Sequence, residues 1–366
     1  MRTRRLAAAA LAVSFAIPLF ASGPVRAETP TCPATPSPRT LWVAPGGADF
    51  TSDGWTPQPN SFSTPWATLN VAMHRLCPGD TLYVRAGTYR EDISSGVKPG
   101  TKTYPIKVLS YQHERVVLQG TLTLISANYW TIGGINVTRD PAKPVAAALV
   151  LIKNGVGWQF VNAEVWGAAG VSNIMITGTV TGQPANYRLA QNCIHDNVAT
   201  TPFMNDHNIY LMPGYKSGPG IIERNIIYGA KNGANIKAAG GNSSTGAAYV
   251  TIRYNTMIRA GAGVIVGYGS HHISMVRNLV GWQLGGSSSY NAAFLGNHVS
   301  GISDIVSYTG AWWYPKVIRN TNDSTTGIRN GGHIVYVKPV WDSYSSCSGF
   351  HPADAASKAY GRYAPA

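Results

Sequence analysis

The chain has 366 residues and a formal net charge of +13, and it contains 40 glycines but only 12% charged residues. A chain of this length can bury a sizeable hydrophobic core. Its richness in Gly, Asn, Val and Ile, together with the low charged fraction, disfavours a predominantly helical protein.

The first 27 residues have the pattern of a secretory signal peptide. Arginines at positions 2, 4 and 5 precede an apolar run over residues 6–21, and Val25-Arg26-Ala27 provides small residues suited to cleavage. The alternative is a membrane anchor, but the run is short for a span and contains Pro18. We therefore expect a secreted protein with a signal peptide at 1–27.

The charge after cleavage indicates an acidic partner. Removing the leader takes away four arginines and no acids, which leaves 25 basic and 16 acidic residues and a formal charge of about +9. Basic exported proteins attract acidic glycans and other polyanions, although a generally basic surface without a partner gives the same composition.

The four cysteines are Cys32, Cys77, Cys193 and Cys347. An even number in an exported chain favours disulfides, for which four cysteines allow three connectivities. A Cys32–Cys77 bond would staple the N-terminal part. None of the four has the spacing of a zinc site.

Short strand-like pieces recur along the middle of the chain. One series reads SNIMI, HNIYL, ANIKA and GVIVG, with central isoleucines 35, 27 and 29 residues apart. These isoleucines are Ile174, Ile209, Ile236 and Ile265. A second series ends in asparagine before another apolar piece. Its asparagines are Asn162, Asn192, Asn225, Asn255 and Asn278, with a continuation at Asn297.

These repeats predict a right-handed parallel β-helix, an all-β solenoid. The period of two to three dozen residues, the strands of three to five residues and the lack of helical periodicity indicate stacked coils. Inward isoleucines would form an apolar column, and stacked asparagines would bond to one another and to the turns. We assign residues 28–345 to this domain, with an N-terminal cap and an irregular C-terminal coil, and 346–366 to a C-terminal tail in which residues 351–366 are expected to be poorly ordered.

The N-terminal part resembles the opening of the pectate-lyase-like family of secreted β-helix proteins. The similar elements are a strand ending in APGG, the segment TPWATLNVAM as a short capping helix, and PGDTLYVRAGTY as the first coil. The resemblance extends from about Leu41 to Val306 and implies the fold. The resemblance does not imply one particular function, since proteins with this fold include lyases, hydrolases, epimerases and adhesins.

Candidate catalytic residues lie beside the inward isoleucines. If Ile209 and Ile236 point inward, Tyr210 and Lys237 point outward on adjacent coils, on the same face as Met175. A lysine with a lowered pKa can act as a general base, or it can neutralise a carboxylate as a fixed cation. The alternatives are a solvated amine for Lys237 and a sugar-stacking ring for Tyr210.

The start of the HNIYL strand adds Asp206 and His207 as a candidate acid–base pair, because histidine titrates near neutrality. The alternative is that both residues only order the loop. A long loop from Cys193 also brings His195 and Asp196 toward this face.

Five residues are candidates for substrate binding. They are Asn208, Asn235, His195, Asp196 and Arg224. The two asparagines are expected to point outward beside the isoleucines. Arg224 is expected on another sheet, where a basic stripe that aids solubility is the alternative.

Three functions remain open on this sequence. A polysaccharide lyase acting on a uronate polymer needs a cation, a base and an acid, which Lys237, His207 and Tyr210 supply. A glycoside hydrolase needs two carboxyl groups, for which Asp206 could pair with Asp196 or Glu164. The third is a non-catalytic glycan-binding solenoid. An epimerase would use nearly the same groups as the lyase.

We predict the lyase, acting as a monomer on an anionic polysaccharide, with no nucleic-acid or membrane partner. No cofactor is expected, with calcium as the alternative, because the sequence has no dense cluster of acidic residues. It also lacks the GxSxG, phosphate-loop and HExxH motifs.

Overall fold

A computed structural model describes residues 31–199, 206–214, 216–230, 233–238, 246–267, 270–281, 339–341 and 347–365, and the backbone of strands at 293–295, 307–312, 317–319 and 334–336. The described chain is almost entirely β, and all of its strand pairings are parallel. Successive strands of one coil join different sheets, and each strand pairs with its counterpart in the next coil. The predicted all-β parallel β-helix is confirmed.

Three sheets run along the axis, with strands numbered in chain order. Sheet I contains β1 (Thr40–Val43), β2 (Thr81–Val84), β4 (Ile106–Ser110), β7 (Trp130–Gly133), β10 (Gln159–Val161), β13 (Tyr187–Ala190), β16 (Gly220–Glu223) and β19 (Val250–Arg253). Sheet II contains β3 (Gly87–Tyr89), β5 (Val116–Gln119), β8 (Ile135–Thr138), β11 (Glu164–Trp166), β14 (Cys193–His195), β17 (Ile226–Tyr228), β20 (Thr256–Ile258) and β26 (Ile334–Tyr336). The strands β22 (Ser274–Val280) and β24 (Ser307–Trp312) continue both sheets. Sheet III contains β6 (Leu122–Ile125), β9 (Ala148–Lys153), β12 (Ser172–Thr177), β15 (His207–Met212), β18 (Ala234–Ala238), β21 (Ala262–Val266), β23 (Ala293–Leu295) and β25 (Val317–Arg319).

The apolar column predicted from the repeats lies behind sheet III. Ile174, Ile209 and Ile236 pair in register and are fully buried in the main core. The register then continues to Val264, not to Ile265. The prediction for Ile265 was wrong by one residue, and because side chains alternate along a strand, this error moves Ile265 to the outer face.

The predicted asparagine ladder is confirmed over four coils. The Nδ2 groups of Asn192, Asn225 and Asn255 each donate to the Oδ1 of the next asparagine, the last being Asn278, at 2.9–3.1 Å. Each Nδ2 also donates to a backbone carbonyl, so these buried amides replace the hydrogen bonds that water would provide. Asn162 lies outside the ladder, because Val161 pairs with Ala190 and the ladder position falls on Ala163. Asn297 lies outside the described residues.

The N-terminal end carries a short helix, α1 (Leu69–His74), which begins within the segment 64–73 predicted to cap the solenoid and ends one residue after it. The Thr68 side chain caps its first turn, and Leu69 and Met73 pack into the core. The predicted Cys32–Cys77 disulfide is present and ties the first described residues to the chain just after this helix.

The C-terminal segment 347–365 packs against the solenoid, contrary to the prediction of a poorly ordered tail. A Cys193–Cys347 disulfide joins it to β14, and it contains a single helical turn, α2 (Ala355–Lys358). Arg224 donates to the carbonyls of Arg362 and Ala364, and Arg362 donates in return to the carbonyls of Asn192 and Arg224. In the described part of the chain, no helix is both long and apolar enough to cross a membrane.

The asparagine ladder should contribute strongly to stability. Asn225→Ala removes a side chain that links three coils and leaves buried amide and carbonyl groups unpaired, so it should lower the free energy of unfolding by about 2 to 4 kcal/mol. The measurement is equilibrium denaturation.

Asn162→Gly is the matched control. Among the described residues the Asn162 side chain has no hydrogen-bond partner, and glycine accepts its φ of 56°. A loss below about 0.5 kcal/mol is expected for this control. Equal losses of unfolding free energy for Asn225→Ala and Asn162→Gly would contradict a stabilising role of the asparagine ladder.

Candidate active site

The outer face of sheet III brings the predicted catalytic residues together. Tyr210 of β15 pairs with Lys237 of β18, and the same row continues to Met175 on one side and Ile265 on the other. The expectation that Tyr210, Lys237 and Met175 share a face is confirmed by this register. Adjacent strands are about 4.8 Å apart, so the phenol and the amine are direct neighbours.

Lys237 lies against the ring of Tyr210. Its Nζ is 4.9 Å from the ring centroid, within the range of a cation–π contact. Burial lowers the pKa of Lys237 below its usual value of 10.5, because desolvation disfavours the charged amine. Ile265, paired with Lys237 on the next strand, forms a small apolar cluster with Ala234 and Ala262 and contributes to this desolvation. The side chain remains partly exposed, so it is accessible to a substrate.

His207 is fully buried at the start of β15, with its ring centroid 5.5 Å from that of Tyr210. Its Nδ1 accepts the backbone N–H of Ala234 at 3.0 Å, so in the neutral ring the hydrogen lies on Nε2. Burial, and secondarily the charge of Lys237, holds the pKa of His207 well below 6.5. The expectation that His207 titrates near neutrality was therefore wrong: it is a neutral group that fixes the start of the strand.

Asp206 is also buried, immediately before β15. Gly233 of the next coil approaches it so closely that a Cβ there would lie 2.6 Å from the Asp206 carbonyl oxygen and 2.9 Å from its Oδ1. Glycine is thus required at 233 for the coils to stack at this point. The carboxyl group lies at the edge of sheet III, beside His207, as the sequence predicted.

Asn208 and Asn235 do not point outward as predicted. Both are fully buried in a second ladder, in which Asn173 donates to Asn208 and Asn208 donates to Asn235 at 2.8–2.9 Å. Each Nδ2 also bonds to a carbonyl at the end of a sheet II strand. The strand pairing skips the positions of Asn173, Asn208 and Asn235, so the regular alternation of side chains is interrupted there. These two asparagines therefore support the corner between sheets II and III.

His195 and Asp196 lie on another face. His195 projects from β14 on sheet II, where its ring stacks between Trp166 and Tyr228. Its Nδ1 is 2.8 Å from Asp196 Oδ2 and its Nε2 is 3.2 Å from Glu164 Oε1. Burial lowers the pKa of His195, but the hydrogen bonds to the two carboxylates outweigh it and the net shift is upward. The structure therefore does not bring these residues to the Tyr210 and Lys237 face.

Arg224 is also distant from sheet III in the fold, at the corner between β16 and β17, as the sequence predicted. Its Nη1 donates to two carbonyls of the C-terminal segment, and its guanidinium lies 4.9 Å from the Tyr254 ring centroid. This arginine holds the C-terminal segment in place, a role that the sequence did not reveal.

Within the described ranges, one group of three residues has the proximity of a metal site. Its ligand atoms, from Cys193, His195 and Cys347, lie within 4.8 Å of one another. The two sulfurs are joined in a disulfide and are not thiolates, so this donor set does not fit a metal. The expectation of no cofactor, with calcium as the alternative, stays a prediction.

Ile265 is the outer neighbour of Lys237, which the sequence pattern did not predict. Aligning ANIKA with AGVIV through their first alanines gives the correct register, since Ala234 pairs with Ala262. The central isoleucine was the misleading signal, because Val264 fills the same inward position.

No protein-family model and no curated protein sequence matches the chain. The structure is similar to that of XylC with xylose, at 13% identity and a TM-score of 0.51, over 82% of this chain and 70% of that one.

Two further similar structures are pectate lyase Pel9A and an alginate lyase from Paenibacillus sp. str. FPU-7. The first has 14% identity and a TM-score of 0.47, over 82% of this chain and 79% of that one. The second has 18% identity and a TM-score of 0.47, over 73% and 94%. The chain has a pectate-lyase-like fold. At these identities the likeness concerns the fold alone.

His207 should make the protein less stable in acid. Its folded pKa is below the unfolded value of about 6.5, so its contribution is complete above that pH and is lost as the pH falls. The loss is at most about 1.4 kcal/mol per pH unit for one group. His207→Asn, which retains an acceptor for the Ala234 amide, should lose less stability between about pH 7 and pH 5 than the wild type.

Denaturation at several pH values measures this difference. His195, whose raised pKa has the opposite effect, is present in both proteins and cancels in the comparison. Parallel stability curves for the two proteins would show that His207 is not buried in its neutral form.

Proposed function

We propose that the protein is a secreted polysaccharide lyase that cleaves a uronate-containing polysaccharide by β-elimination on the outer face of sheet III. The observation that carries this proposal is the Lys237–Tyr210 pair. It places a desolvated amine beside a phenol on one partly exposed strand face. The fold is compatible with this function but does not by itself define it.

Lys237 is the proposed base, in place of His207, to which the sequence had assigned that role, because the His207 side chain is fully buried and out of reach of a substrate. A lysine whose pKa is lowered by burial has a larger neutral fraction near neutral pH, and the neutral amine can accept a proton. In the reaction, the Nζ lone pair takes the proton from C5 of the uronate. The C–H electrons form the C4–C5 double bond as the bond between C4 and the glycosidic oxygen breaks.

Tyr210 is the proposed acid. It donates its hydroxyl proton to the departing glycosidic oxygen, so that the new chain end leaves as an alcohol. Water then restores the proton to Tyr210 and removes it from Lys237. His207 and Asp206 are positioning residues in this scheme, since both are buried at the start of the strand that carries Tyr210.

The hydrolase alternative requires two carboxyl groups on either side of the scissile bond. Asp206 is at the edge of sheet III, but Glu164 and Asp196 both bind His195 on sheet II. No described pair of carboxyl groups thus flanks the Tyr210 and Lys237 face in the way that alternative needs. This arrangement favours the lyase.

The substrate, location and assembly are part of the proposal. The positive charge of about +9 that remains after removal of the predicted leader suits an anionic polysaccharide. The leader and the two disulfides suit an oxidising, extracellular environment. We propose a monomer without nucleic-acid or membrane partners.

Substitution of Lys237 tests the proposal. Lys237→Ala and Lys237→Arg should each lower kcat/KM at least about 100-fold, since the arginine retains the charge but cannot act as a base. The assay follows the ultraviolet absorbance of unsaturated products and the appearance of new reducing ends on a panel of polyuronates.

Lys107→Ala on sheet I is the control, since it removes an exposed amine from another face and should leave activity unchanged. An active Lys237→Arg variant would show that the residue is a fixed cation. New reducing ends without absorbance would contradict the lyase.

The pH profile gives a second test. Because the base must be deprotonated, kcat/KM should rise with pH through the pKa of Lys237 and level off below the usual lysine value of 10.5. The rising limb should be absent from the residual activity of Lys237→Ala. A wild-type profile that falls over the same range would be inconsistent with an amine base.

A further inference from the structure

A cavity of about 470 Å³ lies beside the start of β9, at the same edge of sheet III as His207. It is formed mainly by the connection between β8 and β9, residues 139–146, and by the turn before β6. Leu149 and Ala169 contribute apolar surface, and Pro144 and Val145 form part of the wall. An apolar surface bordered by charged groups suits a sugar ring, which has an apolar face and polar edges.

An ion pair holds the cavity wall in place. Lys143 Nζ lies 2.9 Å from Asp92 Oδ2, and Asp92 Oδ1 accepts both the amide and the hydroxyl of Thr121. The connection is thus fastened to the preceding coil. Asp140 accepts the amide of Ala142 within its own turn. Asp92 therefore balances the charge of Lys143, and the Asp140 carboxylate is hydrogen-bonded within its own turn.

Arg139 is the cation available to a ligand at this cavity. It is partly exposed, and among the described residues no acceptor bonds to its guanidinium. A guanidinium presents paired donors that match the two oxygens of a carboxylate.

The cavity and the candidate active site lie on the same sheet but not in the same row of residues. Ala148 of β9 pairs with Ser172 of β12, which pairs with His207 of β15, so two strand spacings, about 10 Å, separate these levels. Tyr210 lies three residues further along β15, about another 10 Å along the strand, so it is about 14 Å from the level of Ala148, roughly three sugar units. Asn197 links the segment before β12 to the start of β15, because its Nδ2 donates to the carbonyls of Gly170 and His207.

We propose that this cavity is a subsite for a uronate unit of the substrate chain, about three sugar units from the Tyr210–Lys237 pair, where Arg139 binds the carboxylate. The inference rests on the proposed function and names the group by which the enzyme recognises an acidic chain. A substrate that spans both sites would run obliquely across the outer face of sheet III. Arg139 then determines affinity for longer chains and takes no part in the elimination.

The test measures binding to the full-length mature protein carrying Lys237→Ala, so that the ligand is not cleaved. The probes are oligosaccharides of galacturonate, mannuronate, guluronate and glucuronate, from disaccharide to hexasaccharide, and dissociation constants are measured by calorimetry. Adding Arg139→Gln should weaken hexasaccharide binding at least about tenfold, because a charge-assisted bidentate bond is lost. Lys107→Gln in the same background, which removes one exposed charge from sheet I, should change it less than about threefold.

Chain length separates a subsite from an effect on folding. Carboxyl-reduced, neutral hexasaccharides should be insensitive to Arg139→Gln, and disaccharides should be nearly so. An equal effect on every length or on the neutral chains, no effect of Arg139→Gln, or no binding of any oligouronate would each overturn the subsite. Cleavage of polyuronates by the unmutated protein is measured in parallel. If polyuronates are cleaved but Arg139→Gln has no effect on binding, the subsite is contradicted and the proposed lyase activity is not. If no polyuronate is cleaved, the proposed lyase activity itself is contradicted.

Discussion

The in-register stacking of one coil on the next is the constraint on which the rest of the structure depends. Parallel strands repeat about every 4.8 Å, so the backbone must follow the same path at each corner of every coil. The polar groups buried at each corner must also find hydrogen-bond partners in every coil. Two asparagine ladders do this, one running from Asn192 to Asn278 and one from Asn173 to Asn235. Their amides bond both to each other and to backbone carbonyls, which fixes the register of the strands between them.

That register creates the candidate active site. Once Ile209 and Ile236 are stacked inside, Tyr210 and Lys237 must be neighbours outside. The phenol ring on one side and Ile265 on the other desolvate the amine and lower its pKa. The buried asparagines at 208 and 235 keep the beginning of both strands fixed, so the geometry of the Tyr210–Lys237 pair depends on groups buried behind it.

The sequence predicted the fold well, because the repeated isoleucines and asparagines that are visible in it are the residues whose stacking holds the coils together. It also predicted the Tyr210–Lys237 pair, which needs only the register of two neighbouring coils. It failed at the corners between sheets, because strand alternation cannot show where a coil turns: Asn208 is buried at a corner and His195 lies on sheet II. It also failed for Ile265, because valine and isoleucine can both fill an inward position and Val264 is the residue that does so. The docking of residues 347–365 depended on Arg224 and a long-range disulfide, for which there was no local signal.

The most direct test of the account is the fate of water oxygen during cleavage. The purified mature protein would be incubated with polyuronates in water labelled with a heavy oxygen isotope, and the masses of the products would be measured by mass spectrometry. Elimination by Lys237 and Tyr210 predicts unsaturated products that carry no label and whose masses add up to that of the parent chain. Saturated products with one labelled oxygen per cleavage would show hydrolysis and would contradict the account.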